Sequence, residues 1–340
     1  MLQGNWCVDA GGENCPCFLA EGGACLTCSR LAGGGCEDCL WSGVCVANEY
    51  EQNGRVIRLG RKTQYVAVKR KKCYDEQTAV LALDVGRGMA QRCSLPGSYV
   101  FLQADEKISW SQAPISVMRA EVQKGWIWVL IKGISVKTKA LLKAEEGGKL
   151  LLRGPYQNGL FGGFALRQFG FASRREKTKE KPQVLILAKG AGLAPAVLVR
   201  DFLKERAHIR LLLDTAKLTD SLAKDWAGEK GRAGEEKEEA YEPVKLELAR
   251  EREQICQLMR GEDWRFICIF ASDYYLAYFG KSFLSQGLCG SLVLSNNFHL
   301  CCGEGICGAC SIEDQKGQTR KMCKCQMDGE TLLSQGLLHG

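Results

Sequence analysis

Val184-Leu185-Ile186-Leu187-Ala188-Lys189-Gly190-Ala191-Gly192-Leu193-Ala194-Pro195 begins as an apolar run and ends in two glycines and a proline. An apolar run without alternation is how a strand reads when a parallel sheet buries both its faces. The glycines permit a tight turn. A proline in the first helical turn sacrifices no hydrogen bond. The stretch therefore predicts strand, turn and helix, with the helix running to about Glu205. Such a turn aims backbone N–H groups and the positive end of a helix dipole at an anion. Gly190, Gly192 and Pro195 are thus candidate phosphate-binding residues, although glycine also simply permits the turn.

Outward from that stretch, Ile209–Leu213 reads as a second buried strand. It ends at Asp214, which either accepts ribose hydroxyls or caps a helix. Phe266–Phe270 and Ser291–Leu294 are two more strands. Alternating strands and helices predict an open parallel α/β sheet over residues 180–295. Residues 223–260 are rich in lysine and glutamate, and mixed charge of this kind predicts an exposed helical insertion.

Upstream, residues 51–165 change character. Short alternating runs occur at Arg55–Leu59, Gln64–Lys69, Ala79–Asp84, Ser98–Gln103, Ile115–Arg119 and Trp126–Ile131. Turn signals such as Gly86-Arg87-Gly88 and Pro96-Gly97 separate them. Several strands at this spacing predict a small antiparallel barrel. A short helix is expected at Thr138–Glu145.

Downstream, residues 296–340 carry Cys302-Gly303-Glu304-Gly305-Ile306-Cys307-Gly308-Ala309-Cys310, then Cys323 and Cys325. C-x4-C-x2-C followed by a fourth thiol is the plant-type [2Fe–2S] spacing. Gly303, Gly305 and Gly308 allow the loop to wrap closely around such a group. Zinc also accepts C-x2-C, but zinc knuckles come as paired thiols. Cys302, Cys307 and Cys310 are therefore candidate ligands. Cys323 and Cys325 both qualify as the fourth, and Cys301 reads as a bystander.

Residues 1–50 hold a second thiol set: Cys7, Cys15, Cys17, Cys25, Cys28, Cys36, Cys39 and Cys45. Glycines lie between them, with almost no periodic apolar pattern. A segment of this kind buries too little apolar surface to fold alone. Metal ligation would supply the missing free energy. Eight thiols suit two four-cysteine sites, holding [4Fe–4S] clusters, zinc, or one of each.

The chain has 340 residues, a formal charge of +7 and 19 cysteines. Its composition is that of an ordinary globular protein. No basic patch interleaved with aromatics points to nucleic acid. No apolar run is long enough to span a bilayer, and no basic segment leads into an apolar one at the N-terminus. So many thiols without an export signal point to metal or cluster ligation in a reducing cytoplasm. No paired carboxylates and no Ser-His-Asp order stand out. His208, His299 and His339 are scattered, and His299 reads as a neighbour of the cluster rather than a ligand. Cys73, Cys93, Cys256, Cys268 and Cys289 read as small buried hydrophobes.

A barrel, a nucleotide-type α/β domain and a C-terminal C-x4-C-x2-C loop together resemble one family. It is the electron-transfer subunit of dihydroorotate dehydrogenase, within the ferredoxin–NADP reductase superfamily. The likeness covers about residues 55 to 335. The family's flavin-holding Pro-Ile/Leu-Ser motif stands as Pro114-Ile115-Ser116-Val117, preceded by Gln112-Ala113 where the family has arginine. Its Lys-Gly turn stands as Lys132-Gly133-Ile134, and its Gly-Pro turn as Gly154-Pro155-Tyr156-Gln157-Asn158-Gly159. The resemblance implies FAD bound across the barrel and the start of the α/β domain. It implies a nicotinamide site at Gly190–Pro195, with Phe270-Ala271-Ser272-Asp273 standing where the family has Cys-Gly-Pro. It also favours Cys325 as the fourth ligand, from the family's interval after the third thiol. It says nothing of the N-terminal block.

FAD exchanges two electrons and a [2Fe–2S] cluster one, so the expected function is electron transfer between them. The expected partner is a catalytic oxidoreductase subunit in a larger complex, or a ferredoxin. Two alternatives stand beside it. One is a stand-alone NAD(P)H-dependent flavin reductase; the other is a zinc-stabilised adaptor without redox chemistry.

Overall fold

The structure is a computed structural model that describes residues 6–104, 112–173, 181–216, 218–227, 244–288, 290–315, 317 and 319–336. Cys289, His339 and residues 228–243 of the expected insertion lie outside them. The N-terminal segment holds two short helices, α1 (Phe18–Glu21) and α2 (Val46–Gln52). Its own apolar cluster is small: Cys15, Cys28, Val46 and Ala47.

A closed six-stranded antiparallel barrel follows. It is built from β1 (Thr63–Asp75), β2 (Thr78–Asp84), β3 (Tyr99–Gln103), β4 (Ala113–Glu121), β5 (Trp126–Lys132) and β6 (Lys149–Tyr156), in the order β1-β2-β5-β4-β3-β6. Two helices accompany it, α3 (Arg87–Cys93) and α4 (Val136–Leu141). Closure leaves the sheet no free edge. Alternation does the rest: Val66, Leu81, Val100, Ile115, Val117 and Val129 point into the barrel core.

Two expectations fail here. Arg55–Leu59 is not a strand: it follows the end of α2, and Arg55 itself has φ of +62°. The sixth barrel strand is instead β6, whose Leu150 and Leu152 point inward and pair with β1 and β3. The Gly86-Arg87-Gly88 turn opens α3 rather than linking two strands directly.

Beyond the barrel lie β7 (Leu160–Phe161), α5 (Gly163–Ala172), β8 (Gln183–Lys189), α6 (Leu193–Leu203), β9 (His208–Asp214), α7 (Asp220–Trp226), β10 (Val244–Leu246), α8 (Arg252–Gly261), β11 (Trp264–Phe270), α9 (Asp273–Ser285) and β12 (Ser291–Ser295). The sheet order is β10-β9-β8-β11-β12-β7, all parallel except β7. The chain moves one way from β8 to β10 and the other way from β11 to β12. The switch point therefore falls between β8 and β11, where open α/β sheets bind ligands at the strand C-termini.

Val184–Ala188 is wholly buried, with α5 and α6 covering one face of the sheet and α8 and α9 the other. Burying each such aliphatic side chain contributes about 1.5–3 kcal/mol. The expected exposed helical insertion is only partly that. Within it, β10 joins the sheet beside β9 and α8 buries Ile255, Cys256 and Met259 against it.

The C-terminal module has a hairpin, β13 (Ser311–Glu313) with β14 (Thr319–Lys321), and a last helix, α10 (Gly329–Ser334). It packs on the sheet: Cys310, Cys323, Cys325 and Leu332 share a core with Phe161, Leu292 and Phe279. Among the described residues, no helix is long and apolar enough to cross a membrane.

Candidate cofactor cleft and thiol site

A cleft of about 1230 Å³ opens between the barrel and the strand C-termini of the sheet. Pockets for small molecules run to about 300–1,000 Å³, so this space suits something larger, such as a dinucleotide. From the barrel, Pro114, Ser116, Lys132 and Ile134 line it, with Gly159 just beyond. From the sheet come Gly190, Gly192 and Pro195. The strand period explains why only half of one motif arrives. Pro114 and Ser116 face the cleft, while Ile115 and Val117 point into the barrel core.

Three other motif glycines and prolines serve geometry. Gly133 donates its N–H to Gln77 O at 2.8 Å and lies under Leu142, which an added Cβ would approach to 2.8 Å. Gly154 passes beside Val100. Pro155 O accepts a hydrogen bond from Arg61 Nε.

At the nucleotide turn, Gly192 is required by close approach. A Cβ there would lie 1.9 Å from Phe270 O. Asp214, in contrast, is fully buried and committed. Its Oδ1 accepts from Ala216 N at 2.9 Å; its Oδ2 accepts from Leu248 N at 3.0 Å and from Lys189 Nζ. Asp214 is not among the residues that line the cleft. Lys189 lines the cleft in its place. Ala271–Asp273, which the resemblance set beside the nicotinamide, also line it, as do Tyr99, Asn296, Asn297 and Leu300, which were not singled out as binding residues from the sequence. Their signal was position: several of them follow directly on the C-terminal ends of β11 and β12.

Leu300 carries the wall of the cleft into the thiol loop two residues later. Gly303, Gly305 and Gly308 there have φ of +70°, +78° and +76°. The bends turn N–H groups inward: Glu304 N and Cys307 N donate to Cys302 Sγ at 3.3 and 3.5 Å. Cys323 N donates to Cys310 Sγ at 3.3 Å. The neighbouring Cys323 holds the thiols of Cys302 and Cys310 below their usual range. The same closeness to Cys302 and Cys310 pushes Cys323 up in return. Burial raises Cys307, which also bonds Cys302.

The structure thus gathers Cys302, Cys307, Cys310 and Cys323. Cys325 stands apart, buried beside Arg320 and Asp314, with burial raising its thiol to about 11. Its backbone, with that of Met322, is clamped by Asn158 Nδ2 at 2.8 and 2.7 Å, which fixes the turn that presents Cys323. Cys301 is exposed. Among the described residues, no three His, Cys, Asp or Glu side chains surround a single metal ion. The donor set suits a two-iron cluster in its chemistry: thiolates with N–H groups aimed at their sulfurs and a glycine-lined loop.

A buried ionic network ties this loop to the rest. Arg61 pairs with Asp9 at 2.7 Å and Glu304 at 3.4 Å. Lys324, with no exposed surface, pairs with Asp9 at 2.5 Å and Glu304 at 2.9 Å. Tyr156 Oη donates to Glu304 at 2.8 Å, and Arg153 Nη1 donates to Cys302 O at 2.8 Å. Arg153 also stacks over Phe101, 4.6 Å from its centroid. No spacing rule marks these residues in the sequence; the fold brings them together.

The N-terminal candidates divide. Cys7, Cys15, Cys17 and Cys25 line one small cavity. Cys28 is buried next to Cys15, and Cys36, Cys39 and Cys45 are exposed.

No family model and no curated protein matches the chain. Solved structures do. A NADH-dependent reduced ferredoxin-NADP oxidoreductase, described in connection with flavin-based electron bifurcation, aligns at TM-score 0.57 and 17% identity, covering 79% of this chain and 92% of that one. Full-length CYP116B46 of Tepidiphilus thermophilus aligns at TM-score 0.51 and 12% identity, over 82% of this chain and 44% of that one. Phthalate dioxygenase reductase aligns at TM-score 0.49 and 10% identity, over 78% and 95%. The first two likenesses show the fold, an antiparallel barrel joined to a parallel α/β sheet.

Proposed function

We propose that this chain is a flavin- and iron–sulfur-containing electron-transfer oxidoreductase component that delivers electrons to a catalytic partner subunit or a ferredoxin. The observation that carries the reading is the cleft: residues from the barrel motif and from the nucleotide turn line one space whose wall runs on into the thiol loop. The fold shared with an NADH-dependent reduced ferredoxin-NADP oxidoreductase supports it. FAD in the cleft would take up an electron pair, and a two-iron cluster on the four thiols would accept single electrons.

The chain's own groups have definite tasks in this reading. Pro114 and Ser116 hold the flavin at the barrel edge, and Lys132 supplies a cation there. The N–H groups at Gly190–Gly192 and the start of α6 receive the pyrophosphate of a nicotinamide dinucleotide. Cys302, Cys307, Cys310 and Cys323 are the cluster ligands. The N–H groups of Glu304, Cys307 and Cys323 set their sulfurs' charge, and Arg153 fixes the Cys302 carbonyl. Tyr99, stacked on Tyr156 with centroids 5.1 Å apart, bridges from the cleft to the loop at Gly303.

A stand-alone NAD(P)H-dependent reductase is the second reading, favoured by the opening of the same cleft onto the switch point of the sheet. The test is flavin, iron, sulfide and zinc per chain on protein purified without oxygen, followed by stopped-flow mixing with NADH. One flavin with at least about two irons and matching sulfide is expected. A colourless, flavin-free, zinc-filled protein overturns the proposal in favour of an adaptor. Rapid flavin bleaching followed by reduction of small acceptors without a partner favours the second reading.

A further inference from the structure

The thiols of the N-terminal segment are not spread evenly. Cys7, the Cys15-Pro16-Cys17 stretch and Cys25 line one cavity, closed by Leu19, Ala20, Leu26 and Val46. Cys28 N donates to Cys25 Sγ at 3.3 Å, the same kind of N–H to sulfur bond found in the C-terminal loop. Cys36, Cys39 and Cys45 lie off this cavity and are exposed. The segment's own apolar cluster is half thiol, so bare side-chain burial contributes little to its folding.

The position of the cavity is as informative as its lining. Leu19 belongs to its wall and also packs on Gly305 of the C-terminal loop, where an added Cβ would come within 2.8 Å of Leu19 Cδ1. The strand ends beside it are stitched together. Gln326 N donates to Trp6 O at 2.6 Å and Val8 N to Lys324 O at 2.7 Å, setting Cys7 opposite Cys325. Asp9 then pairs with the buried Lys324, next to Cys323. Leu19 thus touches both the cavity and the C-terminal thiol loop.

We infer that Cys7, Cys15, Cys17 and Cys25 hold a [4Fe–4S] cluster beside the C-terminal site. Four thiolates complete the ligand set of such a cluster, and binding it would stabilise the segment. The assignment of the site stands on the geometry of these thiols; its use as a relay rests on the proposed function. Transfer between the sites moves one electron, drawn from the reduced flavin. The C-terminal centre is oxidised and the N-terminal one reduced, with no bond or proton moved.

The experiment uses the full chain purified without oxygen, as wild type, Cys15→Ser/Cys17→Ser, Cys36→Ser/Cys39→Ser and Cys307→Ser. Iron and acid-labile sulfide are measured, with low-temperature EPR after dithionite reduction. About six irons are expected in the wild type and in Cys36→Ser/Cys39→Ser, and about two in Cys15→Ser/Cys17→Ser. The wild type should show magnetic interaction between two reduced centres, lost in Cys15→Ser/Cys17→Ser. The single variant Cys17→Ser covers the case in which the double variant fails to fold: a shifted or lost four-iron signal supports the inference, and an unchanged one overturns it. Unchanged iron in Cys15→Ser/Cys17→Ser, zinc in place of iron, or loss of iron in Cys36→Ser/Cys39→Ser also overturns it. Cys307→Ser separates the two claims. Unchanged iron there would sink the C-terminal cluster of the proposed function and leave the N-terminal site standing.

Discussion

Between Cys302 and Cys310, three glycines at positive φ bend the chain so that N–H groups meet sulfur within a few residues. Between Cys7 and Cys45, Gly11, Gly23 and Gly33 also have positive φ and Cys28 N donates to Cys25 Sγ, but these glycines are spread along the segment rather than gathered in one loop. There the thiols that share a cavity are Cys7, the Cys15-Pro16-Cys17 stretch and Cys25, and the segment is fixed to the body through Asp9, Arg61 and Lys324. The C-terminal site is a local structure that docks on the sheet; the N-terminal site is assembled by docking. A local site writes its geometry into its spacing, whereas an assembled one depends on charges far away in the chain.

The largest expected effect tests the ligand set of the local site. Cys323→Ser should remove the two-iron EPR signal, whereas Cys325→Ser should retain it with full iron content. The reverse outcome would restore the fourth ligand implied by the family interval. Next comes the tie between the regions. Lys324→Met leaves Asp9 with Arg61 and Glu304 with Arg61, Arg153 and Tyr156, and breaking a buried pair in this way costs about 3–5 kcal/mol. Urea unfolding should register that loss, and limited proteolysis should now cut within residues 6–60. Equal stability and protection would mean that the N-terminal segment is held by something other than this network.

Smaller effects sharpen the contrast. Gly303→Ala places a Cβ 2.5 Å from Tyr156 Cε1 at a residue with φ of +70°. Strain of this kind costs about 1–3 kcal/mol, so the melting temperature should fall and the C-terminal cluster should bleach faster in air. The N-terminal centre should bleach at its wild-type rate if the two sites are built independently. The last effect is in acid. Burial raises the Asp9 carboxyl, but Lys324 and Arg61 outweigh it and hold it below 3.8. A depressed folded value means the ion pair's contribution is complete above 3.8 and is lost as pH falls below it. Fluorescence of the Trp6–Trp41 pair, whose rings are 5.1 Å apart, should stay constant from pH 7 to 4.5 and change only below 3.8. Asp9→Asn should abolish that acid step.

Much of the fold could be read directly from the chain. The Val184–Pro195 stretch became β8, a turn and α6, and five of the six barrel strands fall where alternation marked them. These are local patterns, and the period of a strand or the chemistry of a turn acts over a few residues. β6 was missed because Leu150-Leu151-Leu152 does not alternate, and its pairing with β1 and β3 gives it its place. Arg55–Leu59 was misread because its alternation has no partner strand. The partners of Asp214 were not legible because its burial depends on Leu248 and Lys189, which no spacing from Asp214 announces.

The amino-acid order alone therefore specified a barrel, a parallel sheet, a phosphate-type turn and a C-terminal thiol loop, since each is encoded by neighbours in the chain. Other features were settled by packing over long distances. They include the choice of Cys323 over Cys325 to face Cys302, the cleft that joins Ser116 to Gly192, and the cavity that collects Cys7, Cys15, Cys17 and Cys25. Asn158 and Asn296, far back in the chain, hold the Met322 carbonyl and so aim the turn that carries Cys323. Contacts of that range become determinate only when the sheet, the barrel and the N-terminal segment close on one another, because each buried polar group must then find its partner.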